Sequence, residues 1–380
     1  MTPTTSPFDK APCLPPKAAK RTPRLMSSFP PPEDQRVTHA NWLDPPFNRW
    51  SFQHVREVRP TQRVARSGGC PSKLLASATQ LDLHNVCFTN AEGQSTAVEA
   101  ILNEYETDGF LVMHKGKVVS ERYFNDMQPS TTHLTMSCTK SLVGLVAGIL
   151  ADQGKLDLTS PVERYVPELG RSGYAEATVQ MVMDMRSGID YQESDLSSGT
   201  VFHRARMADL VGEMIWSRIG AEHEGDFMVD PIGTVIHEGG ISVTLRDAAR
   251  LGLLLVSDGK NAGGEQVVPA SFLRSTREGS AELRRAFAEG QCERILNPAG
   301  AHYHNCFWVL DPQKGVLAAL GMQGQMIWTD PVAQVVVVVF SSYPEHVSAR
   351  TLNWVNAAAA VAEHLHAGTA MCRDGHHGIQ

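Results

Sequence analysis

The sequence lacks the features that mark several large classes of protein. Its longest apolar runs, Leu142–Ala151 and Val335–Phe340, are far shorter than the ~20 residues needed to span a bilayer. The first 35 residues contain no apolar core of a secretory signal. A net charge of −7 argues against a general nucleic-acid binder, which would carry a basic field. These absences predict a cytoplasmic protein that binds neither membranes nor nucleic acids.

Cysteine is scarce, and its pattern argues against a disulfide framework. There are seven cysteines, an odd number, with no Cys-x-x-Cys pair, at positions 13, 70, 87, 138, 292, 306 and 372. This usage is typical of a reducing compartment with free thiols. Cys372, His376 and His377 could chelate a metal, but a frayed polar terminus is the simpler interpretation. No phosphate-binding Gly-x-x-x-x-Gly-Lys loop occurs either, so we expect neither a metal nor an organic cofactor.

The remaining composition is that of a globular protein with one large domain. Of the 380 residues, 42% are hydrophobic and 20% are charged. Residues 1–35 are rich in proline and predict a disordered leader, with an organelle transit peptide as the alternative. We place the domain at residues 36–366 and a flexible tail at residues 367–380. The oligomeric state is left open by the sequence.

Strand patterns occur towards both ends of the domain, with helical patterns between them. The predicted strands are Gly109–Met113, Lys117–Phe124, Cys306–Leu310, Val316–Leu320, Gln325–Thr329 and Gln334–Ser341. The predicted helices are Met136–Gln153, one capped by Ser160-Pro161, Thr178–Gly188, Met207–Ile219, Thr244–Ser257 and Ala349–His366. Because Val335–Phe340 is apolar on both faces, it should be a central strand covered on both sides. We therefore predict an α/β (α+β) fold: an antiparallel sheet from both chain ends, flanked by helices, with a helical subdomain at about 155–300.

A possible nucleophile stands at the start of the first long helix. The pattern Ser-x-x-Lys occurs as Ser137–Lys140 and again as Ser257–Lys260. Side chains three apart on a helix share a face, so the Ser137 hydroxyl can reach the Lys140 amine. The positive helix end and partial burial both favour the neutral amine that a base must be. The second copy runs into the turn Asn261–Gly264, which cannot hold two side chains in register. By itself the first copy is equally a capping serine followed by a surface lysine.

The wider context resembles the serine β-lactamase-like and penicillin-binding-protein-like hydrolases. Within that group, the closest resemblance is to the 6-aminohexanoate-dimer (nylon oligomer) hydrolases. It covers roughly residues 36–366 and rests on these segments: Asn41-Trp42, Pro45–Trp50, Met136–Cys138, Lys140–Leu142, Gly154–Asp157, Pro161-Val162, Tyr165–Leu169, Asp184–Gly188, Glu238–Gly240 and Thr244–Asp247. The resemblance implies a β-lactamase/DD-peptidase-like fold, with Ser137 as nucleophile and Lys140 as its base.

Two other motifs of that family are altered in this chain. The strand motif Lys-Thr-Gly or His-x-Gly is replaced by Gly321-Met322-Gln323-Gly324-Gln325, which lacks the cation. We assign Gln323, Gly324 and Gln325 to substrate binding, with a backbone amide of this segment completing an oxyanion hole. A missing cation argues against binding the carboxylate of penicillins. A simple glycine turn between two strands fits the local sequence as well.

The family's Tyr-x-Asn or Tyr-x-Ser motif has no counterpart, since no tyrosine lies between Gln192 and Tyr303. The helical insertion is therefore interpreted as shortened. The chain is then a shortened paralogue, a defective gene copy, or an enzyme in which another group replaces the tyrosine. The resemblance assigns Tyr191 to substrate binding. His237 falls where relatives line the cleft, with a surface histidine as the alternative.

These observations predict a serine hydrolase that forms an acyl-enzyme with small amides or esters. A β-lactamase or carboxylesterase activity on the same machinery is the first alternative. A pseudoenzyme that retains the fold and binds a ligand is the second. No Gly-x-Ser-x-Gly elbow and no His-Glu-x-x-His motif occurs, which disfavours an α/β-hydrolase and a zinc protease.

Overall fold

The computed structural model describes residues 24–189, 207–290 and 300–374, with side chains described up to residue 367. The folded part begins before the predicted boundary at residue 36. Leu25 is only 8% exposed and packs in one cluster with Val37 and Trp42. The apolar side chain at the end of the proline-rich stretch therefore belongs to the domain core, and the domain includes at least residues 25–35.

The described residues form fourteen strands in three sheets. The strands are β1 Thr61–Val64, β2 Leu75–Ala76, β3 Cys87–Thr89, β4 Ser95–Ala97, β5 Thr107–His114, β6 Lys117–Tyr123, β7 Thr132–Leu134, β8 Gly225–Met228, β9 Ile241–Thr244, β10 His302–His304, β11 Phe307–Asp311, β12 Val316–Gly321, β13 Gln325–Asp330 and β14 Val335–Ser341. The main sheet has eight strands in the order β10-β11-β12-β13-β14-β5-β6-β2, antiparallel except for the short β2–β6 pair. The four-stranded sheet has the order β1-β8-β9-β7, and β3 pairs with β4.

Ten α-helices surround these sheets in the described part of the chain. They are α1 Asn48–Ser51, α2 Val55–Val58, α3 Val98–Glu104, α4 Cys138–Asp152, α5 Val179–Met183, α6 Met207–Val211, α7 Leu245–Val256, α8 Ala270–Glu278, α9 Ala281–Glu289 and α10 Arg350–Asp374. Short 3₁₀ turns occur at Glu33–Gln35, Leu83–Asn85, Val162–Arg164 and Pro167–Arg171, and a π turn at Gly212–Trp216. Among the helices described, none has the length and apolar character needed to cross a membrane.

The main sheet is covered by helices on both faces. On one face, Leu111 and Val338 pack with Leu145 of α4 and Leu251 of α7. On the other face, Phe110, Val337 and Val339 pack with Ile101 of α3 and Trp354 of α10. Each such apolar side chain contributes roughly 1.5–3 kcal/mol when it is fully buried. The prediction of a sheet from both chain ends, with Val335–Phe340 central and covered on both sides, is confirmed.

Two of the predicted helices differ from the structure. The Ser160-Pro161 pair does not cap an α-helix, because the Ser160 hydroxyl donates to Asp157 and Pro161 bridges to Thr178 in extended backbone. The 3₁₀ turns Val162–Arg164 and Pro167–Arg171 follow in place of an α-helix. The predicted helix Met207–Ile219 is divided into α6 and a π turn that begins at Gly212. A Cβ at Gly212 would lie 3.2 Å from the Ala65 carbonyl oxygen, so close backbone approach accompanies the irregular turn.

Candidate active site

Ser137 lies in a sharp turn between β7 and α4. Met136, the residue before it, has a φ of 47°, which is uncommon for a residue other than glycine and indicates local strain. The turn is fixed from within, since the Thr139 hydroxyl donates to the Met136 carbonyl oxygen at 2.6 Å. It is also fixed from β9, because the Ile241 amide donates to the Thr139 hydroxyl at 3.2 Å. The fold therefore holds Ser137 in a fixed position at the first turn of α4.

Lys140 contacts Ser137 directly. The Lys140 Nζ lies 2.8 Å from the Ser137 Oγ and 2.9 Å from the Glu238 carbonyl oxygen. Both side chains are half-buried in a turn whose other residues are mostly buried. A neutral lysine has one lone pair and two N–H bonds, so it can accept the Ser137 proton while it donates to Glu238. The predicted pair is thus assembled as a nucleophile with an adjacent base.

The second Ser-x-x-Lys copy has no such geometry. Ser257 follows the last residue of α7, and Asp258 and Gly259 continue with φ values of 51° and 82°. The Lys260 residue pairs through its backbone with Gln266 in a short bridge. No hydrogen bond joins the Ser257 and Lys260 side chains in this described segment. Ser257 therefore serves as a natural control for Ser137.

A buried histidine anchors the strand that leads into the nucleophile turn. His133 of β7 is fully buried, and its Nε2 lies 3.0 Å from the Asp108 Oδ2 while its Nδ1 lies 2.9 Å from the Leu134 carbonyl oxygen. Its ring stacks on Phe340 of β14 at a centroid distance of 5.0 Å. Since Asp108 belongs to β5, the contact between His133 and Asp108 joins the four-stranded sheet to the centre of the main sheet.

Asp108 is the hub of the same buried cluster. Its carboxylate also accepts hydrogen bonds from the Ser342 hydroxyl at 2.6 Å and from the Asn125 amide at 2.9 Å. The Arg49 guanidinium lies 3.1 Å away and supplies the opposite charge. A buried carboxylate is stable only when it is paired and hydrogen-bonded in this way. Sequence inspection did not single out this cluster, because its members are far apart along the chain.

The replacement Asp108→Asn should destabilise the fold strongly. It removes the buried negative charge that pairs with Arg49, and breaking a buried pair costs about 3–5 kcal/mol. Urea unfolding should show that loss in the free energy of unfolding. Asp126→Asn is the matched control, since Asp126 is exposed and should change stability by less than ~0.5 kcal/mol. A loss below ~1 kcal/mol in Asp108→Asn would contradict the role of Asp108 as hub.

The predicted strand motif forms a tight turn between β12 and β13. The Gln323 side chain is buried and donates to the Leu43 carbonyl oxygen at 3.2 Å, and the Gln325 side chain donates to the Ser341 carbonyl oxygen at 2.6 Å. Gly324 has a φ of 91°, and a Cβ there would lie 2.5 Å from the Tyr343 ring. The two glutamine amides thus bond to backbone in this structure. Substrate binding by Gln323, Gly324 and Gln325 stays a prediction.

Gly321, at the end of β12, lies directly against the nucleophile turn. A Cβ on Gly321 would be 2.5 Å from the Thr135 carbonyl oxygen and 3.0 Å from the Met136 Cβ. Nearby on the same strand, the Ala319 carbonyl oxygen accepts a hydrogen bond from the Cys138 Sγ at 3.3 Å. The end of β12 therefore lies beside Ser137, and the next backbone amide is that of Met322. The sequence placed Gly321 in the altered strand motif, and in the fold this glycine lies where two backbones of the protein itself meet.

His237 lies one residue before the Glu238 carbonyl that contacts Lys140. Desolvation lowers the pKa of the His237 imidazole, partly opposed by the charge of Glu238, so the neutral ring is favoured at pH 7. Because the neighbouring Glu238 carbonyl contacts Lys140, His237 lies in the segment next to the Ser137–Lys140 pair. A contact between His237 and substrate stays a prediction. Tyr191 lies outside the described residues, as do residues 192–206 and 291–299 of the interval in which the family tyrosine is absent.

The tyrosine hydroxyls whose hydrogen bonds are described bond to groups other than Ser137 and Lys140. Tyr123 donates to Glu121, Tyr165 accepts from the Asp157 amide, and Tyr105 accepts from Asn353. Tyr343 is fully buried beneath the Gly324 turn. Over residues 24–189, 207–290 and 300–367, no group of three or more His, Cys, Asp and Glu side chains is arranged to hold a metal ion.

Comparison with known proteins gives consistent relatives. Residues 96–224 match the family described as Beta-lactamase. The 6-aminohexanoate-dimer hydrolase of Paenarthrobacter ureafaciens is 28% identical, over 86% of this chain and 93% of that protein. A solved structure from Bacillus anthracis, provisionally assigned as a 6-aminohexanoate-dimer hydrolase, has a TM-score of 0.74 and 25% identity over 88% of this chain and 98% of that one.

A more distant structure supports the fold alone. EstCE1, a hydrolase with promiscuous acyltransferase activity, has a TM-score of 0.53 at 15% identity, over 70% of this chain and 96% of that one. The predicted resemblance and fold class are confirmed by these matches. Residues 96–224 therefore match the Beta-lactamase family, and the chain has a β-lactamase-like fold and is related over most of its length to 6-aminohexanoate-dimer hydrolase.

Proposed function

We propose that this chain hydrolyses small amides or esters through an acyl-enzyme on Ser137, in the manner of a 6-aminohexanoate-oligomer hydrolase. The observation that supports this most directly is the 2.8 Å contact between Lys140 Nζ and Ser137 Oγ at the start of α4. The name of the Paenarthrobacter ureafaciens relative gives the 6-aminohexanoate dimer as its substrate, and this substrate class is carried over as part of the proposal.

The reaction proceeds in two displacements. Lys140 accepts the Ser137 proton, and Ser137 Oγ attacks the substrate carbonyl carbon. The amides of Ser137 and Met322 stabilise the oxyanion, and the carbonyl re-forms as the bond to the leaving group breaks. The leaving amine or alcohol takes the proton from Lys140. Water then gives a proton to Lys140 and attacks the acyl carbonyl carbon. As the bond from that carbon to Ser137 Oγ breaks, Lys140 returns the proton to Oγ, and the acid leaves.

Mass spectrometry of the acyl-enzyme tests this function. The protein is mixed with a panel of small amides, activated esters and penicillins, quenched in acid and digested. We expect an acyl adduct on the peptide that carries Ser137, and none on the peptide that carries Ser257. If no compound of the panel and no fluorophosphonate probe modifies Ser137, the chain is a ligand-binding pseudoenzyme. A penicilloyl adduct that turns over would instead favour a β-lactamase activity.

We also propose that the protein works in a reducing compartment, as the cytoplasm is. Support comes from Cys70, Cys138 and Cys306, which are free cysteines in the described part of the chain. Cys138 and Cys306 are shielded: desolvation raises the pKa of the Cys138 thiol well above its usual range and that of Cys306 to about 12. Both thiols therefore stay protonated and unreactive at neutral pH.

Thiol titration checks this assignment. In native protein, the exposed Cys70 should react fastest with a disulfide reagent, while Cys138 and Cys306 should react only after unfolding. In denaturant without reductant, most of the seven thiols should titrate. A Cys70→Ser variant, which should lose the fast phase, is the control. Two or more stable disulfides would contradict the proposal and point to an exported protein.

A further inference from the structure

An apolar rim surrounds the residue that precedes the nucleophile. Met136 is buried in a cluster that the N-terminal segment shares. Seven partly exposed apolar side chains pack against this cluster, among them Leu43, Phe47, Ile236 and Met322. We call these four side chains the apolar rim. They come from three separate parts of the chain, so sequence inspection alone could not have grouped them.

Each of the three chain segments that supply the apolar rim contacts the nucleophile turn, Lys140 or the Gly321–Gln325 turn. Met322 follows Gly321, which lies against Thr135 and Met136. Ile236 is two residues before Glu238, whose carbonyl oxygen is 2.9 Å from the Lys140 Nζ. Leu43 is held by its carbonyl oxygen, which accepts the hydrogen bond from Gln323 at 3.2 Å. The rim therefore lies beside the Ser137–Lys140 pair, and the N-terminal segment is part of the site's wall.

The chemistry of the rim selects one kind of group. The four side chains are uncharged and aliphatic or aromatic, and they are partly exposed in an otherwise packed cluster. Burial of methylene groups against these side chains is favourable in free energy because it removes apolar surface from water. A carboxylate at the same place would lose its hydration and find no partner, which is unfavourable. The replaced strand motif, Gly321–Gln325, supplies no Lys or His to pair with such a carboxylate.

We propose that the apolar rim binds the acyl chain of the substrate, and that the N-terminal segment through Leu43 sets the preference for an unbranched chain without a carboxylate. This inference rests on the proposed acyl-enzyme function and specifies its substrate class. Leu43 and Met322 are specificity-determining residues that contact the chain beyond the scissile carbonyl.

A chain-length series tests the inference. The kcat/KM for p-nitrophenyl acetate, butyrate and hexanoate should rise with length, because each buried methylene contributes up to about fourfold. We expect hexanoate to exceed acetate by about tenfold or more. Mono-p-nitrophenyl adipate has the same chain length with a terminal carboxylate, and it should fall about tenfold or more below hexanoate.

Two variants address the rim itself. Leu43→Ser and Met322→Ser each remove an apolar side chain, and Met322→Ser keeps the backbone amide. Each should lower the hexanoate-to-acetate ratio by about threefold or more. Leu75→Ser is the matched control, since Leu75 is 57% exposed on β2 at the far edge of the main sheet, and it should leave the ratio unchanged. Thermal melts show which variants are folded, and two positions keep the test decisive if one is not.

The outcomes separate this inference from the function beneath it. Two results obtained while Ser137 is still acylated would overturn the role of the rim but not the proposed function. One is a kcat/KM that does not depend on acyl length in the wild type. The other is a hexanoate-to-acetate ratio that is unchanged in both folded variants. If no ester acylates Ser137, the proposed function fails and the inference falls with it. A preference for the adipate monoester over hexanoate would also overturn it, because it would require a cation at the rim.

Discussion

Ser137→Ala should reduce hydrolysis of any substrate by at least ~10⁴-fold, because the proposed acyl-enzyme cannot form without the Ser137 oxygen. Lys140→Met should cause a loss of similar size. The Lys140 Nζ lies 2.8 Å from the Ser137 Oγ. A methionine at position 140 could not accept the Ser137 proton. Steady-state hydrolysis of p-nitrophenyl butyrate, with burst kinetics for the acylation step, measures both losses.

The double variant gives the sharper result. Two residues that act as one unit do not lose activity additively, so Ser137→Ala/Lys140→Met should be no slower than either single variant. Ser257→Ala, in the second Ser-x-x-Lys copy, should retain wild-type rates because that segment is a turn with no contact between its two side chains. Wild-type activity in Ser137→Ala, or multiplied losses in the double variant, would contradict the assignment of this pair.

The main sheet and the nucleophile could be predicted because their signals are local. The run Val335–Phe340 is apolar at every position, which identifies a central strand, and Ser137–Lys140 lies on one continuous apolar helix. The second sheet was not predicted. Strands β7 and β9 have three and four residues, too few for a clear alternation, and they pair across more than a hundred positions of the chain.

The walls of the site could not be predicted because they depend on tertiary contacts. The Glu238 carbonyl that holds Lys140 is a backbone atom and leaves no trace in side-chain type. Gln323 and Gln325 were singled out as polar groups in the right segment, but in the fold their amides bond to backbone. Leu43 and Met322 are ordinary apolar residues, and only the fold brings them together around Met136. Residue type thus indicated the chemistry of Ser137 and Lys140, whereas the residues that form the walls of the site are identified only by their tertiary contacts.

The lack of a family tyrosine between Gln192 and Tyr303 should make this chain a much better esterase than amidase. An amine leaving group must be protonated as the C–N bond breaks, whereas p-nitrophenolate leaves without a proton. General acid assistance typically contributes ~10²–10⁴-fold, so amide turnover should fall below ester turnover by that additional factor. We expect the ratio of amide turnover to ester turnover in this chain to be about a hundredfold or more below the same ratio measured on a relative that has the tyrosine.

Matched substrates measure this effect directly. We compare p-nitrophenyl hexanoate with hexanoyl p-nitroanilide, which share the acyl chain and differ in the leaving group. A second ester series with leaving alcohols of rising pKa should show a steep decline in rate, because Lys140 alone must deliver the proton to the poorer leaving groups. His237→Phe is informative as well, since a neutral imidazole beside Glu238 is a candidate proton donor through water. If His237→Phe slows the anilide at least tenfold more than the ester, His237 supplies part of the missing assistance. An anilide rate close to the ester rate, with no dependence on His237, would contradict the prediction and show that another group has taken the place of the tyrosine.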